Sequence, residues 1–234
     1  MLNLLVATSQ RTDVEREALR EAAPAVAFVM TLQIGLAITS AVEPWTTWKF
    51  GWWMWLVPLV FELPLFVLNT WHRPHRALVE RGIRRQVGIW LLAGASLANA
   101  FLVFAVIASL VSGHESSGSH LLFKGATVWV ANVILFGLWF WLFDQGGPNV
   151  RVGPNPPKPD FLFPQTDDKE IAPSDWRPHF LDYMYVSFTN SIAFSPTDTM
   201  PLNRWAKLLM LFEASLSALV ILLVAARAVN IFKS

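Results

Sequence analysis

Long apolar segments constrain the fold of this chain more than any other feature of its sequence. A helix needs roughly 20 mainly apolar residues to cross a bilayer. Five segments have this length and character: 23–42, 52–70, 87–111, 121–143 and 205–232. Lipid offers no partners to backbone polar groups, so each segment is expected to be a helix, which satisfies its own. The sequence therefore predicts an all-α integral membrane protein.

The composition supports this class and gives no reason to expect several others. Hydrophobic residues make up 54% of the chain and charged residues only 15%, whereas soluble domains average about 25% charged residues. The net charge of +1 does not suggest a nucleic-acid partner. Because the chain has no cysteine, it forms no disulfide and no thiolate metal site. No catalytic motif is found, so we expect a protein of the lipid bilayer that is not an enzyme and binds no cofactor or metal.

The chain divides into four parts by composition. Residues 1–22 are polar and amphipathic and are expected to be a cytoplasmic N-terminus, and residues 23–143 are a four-helix membrane region. Residues 144–178 hold 8 of the 15 prolines, which predicts a loop without long helices. Residues 179–234 contain a short polar-aromatic segment and the last membrane helix. Pro24 is expected in the first turn of a new helix, where proline is favoured.

The distribution of arginines predicts the orientation of the chain in the plasma membrane. The loop 71–86 carries five arginines, and cytoplasmic loops are enriched in Lys and Arg. Alternation of the spans then places the N-terminus and the loop 144–178 in the cytoplasm as well. If the segment 180–195 crosses completely, the chain has six passes. If this segment is re-entrant, there are five passes and the C-terminus is outside. Arg227 and Lys233 favour a cytoplasmic C-terminus and therefore six passes.

The segment 180–195 is too short and too polar for an ordinary span, and the last long apolar segment follows it. Because Pro196 cannot continue a helix, the sequence predicts a helix over 180–195 and a non-helical stretch up to Pro201. Asp198 or Asn203 is expected to cap the last helix. A half-length helix, a loop and a full-length helix are the parts of a pore hairpin. Irregular backbone at membrane depth must be buried in protein or line water.

Residues 182–230 resemble the pore module of tetrameric potassium-type channels. The motif Asp-Tyr-Met-Tyr-Val-Ser-Phe-Thr, which begins at Asp182 and includes Tyr185, resembles the start and body of the pore helix. The run Ser-Ile-Ala-Phe-Ser, which begins at Ser191, is similar in its pattern of sizes to the filter signature Thr-Val-Gly-Tyr-Gly. The resemblance implies a homotetramer that conducts cations. Its pore and filter candidates are Thr189, Ser191, Ile192, Ala193, Phe194, Ser195 and Asp198.

The whole chain also resembles small multi-pass proteins of unknown function found in high-GC bacteria. Some of these share the motif Asp-Tyr-x-Tyr-x-Ser-Phe-Thr, which is present here from Asp182. This second resemblance implies a location in a bacterial inner membrane, and it implies no particular activity.

Two carboxylates are predicted to lie at membrane depth, where ionisable groups are costly and suggest function. Glu62 lies between Pro58 and Pro64. It is either a proton- or cation-binding group or a protonated side chain that satisfies carbonyls freed by the prolines. Glu213 lies about two turns into the last helix, with Ser217 on the same face. It either lines a cavity or forms a contact between helices.

Three functions are compatible with these features. The first is an oligomeric cation channel or pore with a non-standard filter, formed by the hairpin. The second is a small proton- or ion-coupled transporter that uses Glu62 or Glu213. The third is a structural or partner-binding membrane protein, with the loop 144–178 as its docking segment.

Overall fold

The computed structural model describes residues 2–43, 47, 49–71, 78, 83–112, 117–151, 155–168, 170–173, 176–195 and 198–233. Side chains are described for all of these except 2–20, 149 and 227–233. Most of the arginine-rich loop 71–86 lies outside the described residues, as does Pro196.

Helices dominate the described part of the chain. In order, the elements are α1 (Leu2–Val42), a 3₁₀-helix (Trp52–Leu56), α2 (Leu59–Thr70), α3 (Arg84–Val111), α4 (Gly118–Phe143), a second 3₁₀-helix (Asp144–Gly146), α5 (Pro148–Arg151), β1 (Phe161–Leu162), α6 (Pro164–Asp167), α7 (Phe180–Ala193), β2 (Met200–Pro201) and α8 (Arg204–Lys233). The two strands form a short antiparallel pair in which Phe161 lies opposite Pro201. The prediction of an all-α fold is confirmed.

Five helical segments are long and apolar enough to cross a membrane. They are Glu21–Val42, Trp52–Thr70, Arg84–Val111, Gly118–Gly146 and Arg204–Ala226. These segments match the five predicted from the sequence, with ends that differ by a few residues. The chain is therefore a multi-pass membrane protein.

The expected break at Pro24 does not occur. Pro24 lies inside α1, which runs without interruption for 41 residues. A proline inside a helix removes one hydrogen bond, here the bond to the carbonyl of Arg20. The three alanines that flank Pro24 are good helix formers. The helix continues past the proline and joins the polar N-terminal residues to the first span.

Helix α4 is the most buried of the five spans and packs against α1, α3, α7 and α8. Two of its glycines allow close contact. A Cβ at Gly137 would lie 3.1 Å from the Cα of Met184 in α7, and a Cβ at Gly125 would lie 2.8 Å from Val224 in α8. Small residues let membrane helices approach closely where lipid provides no hydrophobic driving force. The sequence of α4 therefore places α7 and α8 side by side on it.

Helix α7 enters the bundle and the chain then returns to the same end. At its start, Tyr183 bonds to Asp144 at the end of α4; near its finish, Asn190 bonds to the carbonyl of Met210 in α8. The strand β2 then pairs with β1, whose Phe161 packs on Tyr183. We call residues 180–203 the re-entrant hairpin. With 14 residues, α7 is about 21 Å long, shorter than a bilayer core of about 30 Å. The choice between five and six passes stays a prediction.

The predictions for the two ends of this hairpin are confirmed. Helix α7 ends at Ala193, two residues earlier than expected, and Phe194 adopts a left-handed backbone conformation with φ 54°. The described residues that follow, 194–195 and 198–203, lie outside any helix, and Asn203 Oδ1 accepts the backbone N–H of Ala206 at 3.1 Å. Of the two predicted caps, Asn203 therefore caps α8.

Candidate functional site in the middle of the bundle

The apolar core of the bundle is divided into two clusters by a layer of buried polar side chains. One cluster lies towards Asp144 and includes Val29, Leu92 and Met210. The other lies towards the opposite end and includes Leu36, Leu102 and Val220. At or near the boundary, the helices place these buried polar residues, which we call the polar layer: Gln33, Glu62, Asn99, Asn132, Ser187, Asn190, Glu213 and Ser217.

The re-entrant helix α7 ends at this layer. All of its apolar core residues belong to the cluster on the Asp144 side, and its last buried side chains are polar. It meets α8 at Met210 and Glu213. These residues lie six and nine positions beyond Arg204, about 9–14 Å along the helix axis. Half of a bilayer core is about 15 Å, so Glu213 would lie near the middle of a membrane whose edge is at Arg204.

Glu213 joins α7 to α8 within the polar layer. Asn190 Nδ2 donates to Glu213 Oε2 at 2.7 Å and also contacts the carbonyl oxygen of Met210 at 2.9 Å. The hydroxyl of Ser187 contacts Glu213 Oε1 and, at 2.6 Å, the carbonyl oxygen of Val133 in α4. A hydroxyl has one proton, so both Ser187 contacts are hydrogen bonds only when Glu213 also carries a proton. Glu213 is fully buried and forms a contact between helices.

A second polar contact in the layer joins α4 to α8. Asn132 Nδ2 donates to the hydroxyl oxygen of Ser217 at 3.2 Å. Ser217 lies one turn beyond Glu213, as the spacing of the two residues predicts. Buried hydrogen bonds of this kind fix the rotation of one membrane helix against another.

On the other side of the bundle, Glu62 of α2 joins Gln33 of α1. Gln33 Nε2 donates to Glu62 Oε1 at 3.1 Å, and both side chains are buried. Pro58 precedes α2 and Pro64 lies inside it, so Glu62 occupies the first turn of the helix. The structure thus places both predicted intramembrane carboxylates in one polar layer, in different pairs of helices.

The hairpin tip, residues 192–195 and 198, is exposed on the surface of the protein. Ile192 and Phe194 each have 48% of their surface exposed, and Ala193, Ser195 and Asp198 are also exposed. Two predicted pore hydroxyls lie just before the tip and bond within α7. Thr189 donates to the carbonyl of Tyr185 at 2.9 Å, and Ser191 donates to that of Phe188 at 2.8 Å. Of the predicted pore and filter positions, the five tip residues are therefore exposed, Thr189 is half-buried and Ser191 is fully buried.

The start of α7 is held by two carboxylates. Asp182 Oδ2 accepts the backbone N–H of His179 at 2.7 Å. Glu21 of α1 contacts His179 Nδ1 at 2.6 Å and accepts the N–H of Phe180 at 3.0 Å. Acids are favourable at a helix N-terminus, where N–H groups lack partners. Asp182 thus anchors the helix, while Tyr185 is half exposed and lines an apolar groove of about 1100 Å³ between α1, α4 and α7.

Sequence reasoning missed a buried polar cluster at the Asp144 end of the bundle. Tyr183 donates to Asp144 Oδ2 at 2.5 Å, and Arg151 donates to the Tyr183 oxygen at 2.5 Å and to the Trp141 carbonyl at 2.7 Å. Asp160 adds a backbone N–H to Asp144 at 2.7 Å. Burial raises the pKa of Tyr183 well above its ordinary value, so its hydroxyl stays a donor. In the sequence, Asp144 and Arg151 are indistinguishable from solvated loop residues.

The chain matches no protein-family model, and neither a curated protein nor a solved structure is significantly similar to it. Within the described residues, no group of three or more His, Asp or Glu side chains could hold a metal ion. The arrangement of the site itself therefore carries the functional argument.

Proposed function

We propose that this protein is an oligomeric protein of the bacterial plasma membrane, in which the re-entrant hairpins of several copies surround a cation pathway. The observation that carries this proposal is the exposed, irregular backbone of the hairpin tip at the depth of the polar layer. Lipid-exposed irregular backbone does not occur within the hydrocarbon region, because its N–H and C=O groups would have no partners. The tip must therefore contact another copy or water.

An assembly of several copies around their hairpin tips gives each tip both neighbouring copies and water as partners. A single hairpin cannot encircle an ion, whereas copies related by rotation about a central axis bring their tips together. The four-fold arrangement implied by the resemblance to potassium-type channels makes a homotetramer the expected state. The polar groups at the tip would then face a water-filled path, and the apolar face of α8, which includes Leu208 and Leu211, would face its neighbours or lipid.

The charges near the tip favour a cation over an anion. The C-terminal end of a helix carries a partial negative charge, and α7 ends at Ala193 next to the tip. Asp198 adds an exposed carboxylate to the same loop. The basic residues of the hairpin region, Arg204 and Lys207, begin α8 at the level of the bundle end.

The distribution of basic residues along the whole chain predicts the orientation of the protein in the membrane. Three Lys or Arg residues lie in 1–22, five in 71–86, four in 144–178 and two at the start of α8, which makes 14 of the 18 in the chain. With five passes, all four regions are on one side, and the positive-inside rule assigns that side to the cytoplasm. The hairpin then opens to the cytoplasm and the C-terminus lies outside, with Arg227 and Lys233.

Single-cysteine cross-linking tests the assembly. The chain has no native cysteine, so a cysteine introduced at Phe194 reports contact without background. We expect Phe194→Cys in native membranes to form disulfide-linked dimers on oxidation, and the purified protein to be a tetramer by native mass spectrometry. Trp90→Cys, at a position 75% exposed on α3, is the matched control and should stay uncross-linked. A monomer by mass spectrometry, with no cross-link at position 194, would refute the proposal.

A further inference from the structure

The contact between Glu62 and Gln33 leaves two buried oxygen atoms without a donor. Gln33 Nε2 satisfies Glu62 Oε1. The other oxygen of each side chain, Gln33 Oε1 and Glu62 Oε2, has no hydrogen-bond partner among the described residues. Both residues are at least 99% buried. Each side chain of this contact therefore carries one unpartnered acceptor in the polar layer, where buried polar groups without partners are costly.

No basic side chain compensates Glu62 in the described part of the bundle. Helix α2 packs against α1 and α3, and the 3₁₀-helix Trp52–Leu56 packs against α1. Beyond Glu21, α1 has no ionisable residue, and α3 has none after Arg85. Arg84 donates to Asn69 at the opposite end of α2. Glu62 is thus the one ionisable group that these three elements place in the polar layer.

A single proton on Glu62 gives a hydrogen-bonding role to both unpartnered oxygen atoms. A protonated carboxyl group has an O–H donor beside its remaining acceptor. With the proton on Glu62 Oε2, this O–H donates to Gln33 Oε1 while Gln33 Nε2 donates to Glu62 Oε1. The acid and the amide then form a closed pair with two hydrogen bonds, and the carboxyl group is neutral.

We propose that Glu62 and Gln33 form a proton-binding site between α1 and α2 in the middle of the membrane. Binding forms an O–H bond at Glu62 Oε2 and converts the carboxylate into a neutral acid. Release breaks that bond, returns the proton to water and leaves a carboxylate anion, which requires hydration of the layer between α1 and α2. The ligand is a proton and not a metal ion, because hard metal ions need about six oxygen ligands and this contact offers two free oxygens. The site is independent of the hairpin pathway proposed above.

Infrared spectroscopy of the full-length protein in lipid tests the site directly. We expect a protonated carboxyl band at neutral pH that is lost in Glu62→Gln. This variant replaces the acid O–H with an amide N–H, so both hydrogen bonds to Gln33 remain and the variant should fold. Glu213→Gln is the matched control and should keep the Glu62 band. Exchange of Na⁺ for K⁺ or choline at fixed pH should leave the band unchanged.

Two results would overturn the site: an unchanged carboxyl spectrum in Glu62→Gln, or a Glu62 band that depends on Na⁺. If Glu62→Gln does not fold, Gln33→Met provides the second test. Methionine keeps the length of the side chain and removes both hydrogen-bonding groups, so the carboxyl band should shift to the higher frequency of an unbonded acid. A band at the wild-type frequency in Gln33→Met would show that Gln33 does not hold the proton.

Discussion

At the residue scale, some of the buried polar groups could be predicted from the sequence and others could not. Glu62 and Glu213 could be found from the sequence because each is a charged residue inside an apolar segment. Asp144 and Arg151 could not, because both lie in a polar, proline-rich region and become buried only through contacts with Tyr183 and Trp141. Tyr183 belongs to the predicted pore-helix motif, but its hydrogen bond to Asp144 was not predicted.

Removal of the Tyr183 hydroxyl should destabilise the bundle. In Tyr183→Phe, Asp144 Oδ2 and the Arg151 guanidinium both lose a buried partner, and an unsatisfied buried polar group costs about 1–3 kcal/mol. We expect a lower melting temperature in a detergent thermal-shift measurement. The control is Tyr185→Phe, the other tyrosine, which is half exposed and should melt like the wild type. Equal melting of the two variants would show that the Asp144 cluster adds no stability.

The carboxylate at the hairpin tip should affect transport and not folding. Asp198 is exposed, and a fixed negative charge raises the local concentration of cations. We expect Asp198→Asn to lower cation flux several-fold in reconstituted vesicles, at an unchanged melting temperature. Because Ala193 and Ser195 stand where filters of potassium-type channels have glycine, potassium should be poorly selected over sodium. An unchanged flux in Asp198→Asn would remove this carboxylate from the pathway.

At the scale of elements, the sequence was sufficient for the spans and for the half-length helix, since both follow from apolar length and from Pro196. It was insufficient at Pro24, because a proline removes one hydrogen bond of a helix but does not always end the helix. The polar layer was also out of reach. Each polar residue in the middle of a span can be read from the sequence. Their common depth, however, depends on the relative axial positions of the helices. These positions are determined by contacts between residues far apart in the sequence, such as Gly137 and Met184.

Substitution of Gly137, where α7 packs against α4, tests this packing directly. A side chain at Gly137 would meet the backbone of Met184, whereas a Cβ at Gly35 in α1 would have no neighbouring atom within 4 Å. Overpacking of a well-packed contact costs about 1–3 kcal/mol. We therefore expect Gly137→Val to lower the melting temperature clearly and Gly35→Val to change it little. A Gly137→Val protein as stable as the wild type would show that α7 does not pack closely against α4 at Gly137.

At the scale of the whole molecule, the proposed topology of five passes and a re-entrant hairpin requires opposite locations for the two ends of the chain. A membrane-impermeant thiol reagent applied to intact cells should label a cysteine at Ser234 and leave cysteines at Val79 and Gln165 unlabelled until the membrane is opened. Labelling of position 79 from outside would reverse the proposed orientation. Protection of position 234, with 79 and 165 also protected, would restore six passes.

Cation uptake by vesicles that contain the purified wild-type protein tests the central claim most directly. Under an imposed gradient, thallium or sodium uptake should exceed that of empty vesicles, and it should fall in Asp198→Asn protein reconstituted at the same density. Uptake equal to that of empty vesicles over a range of pH and voltage, from protein that is folded and tetrameric, would contradict the cation pathway.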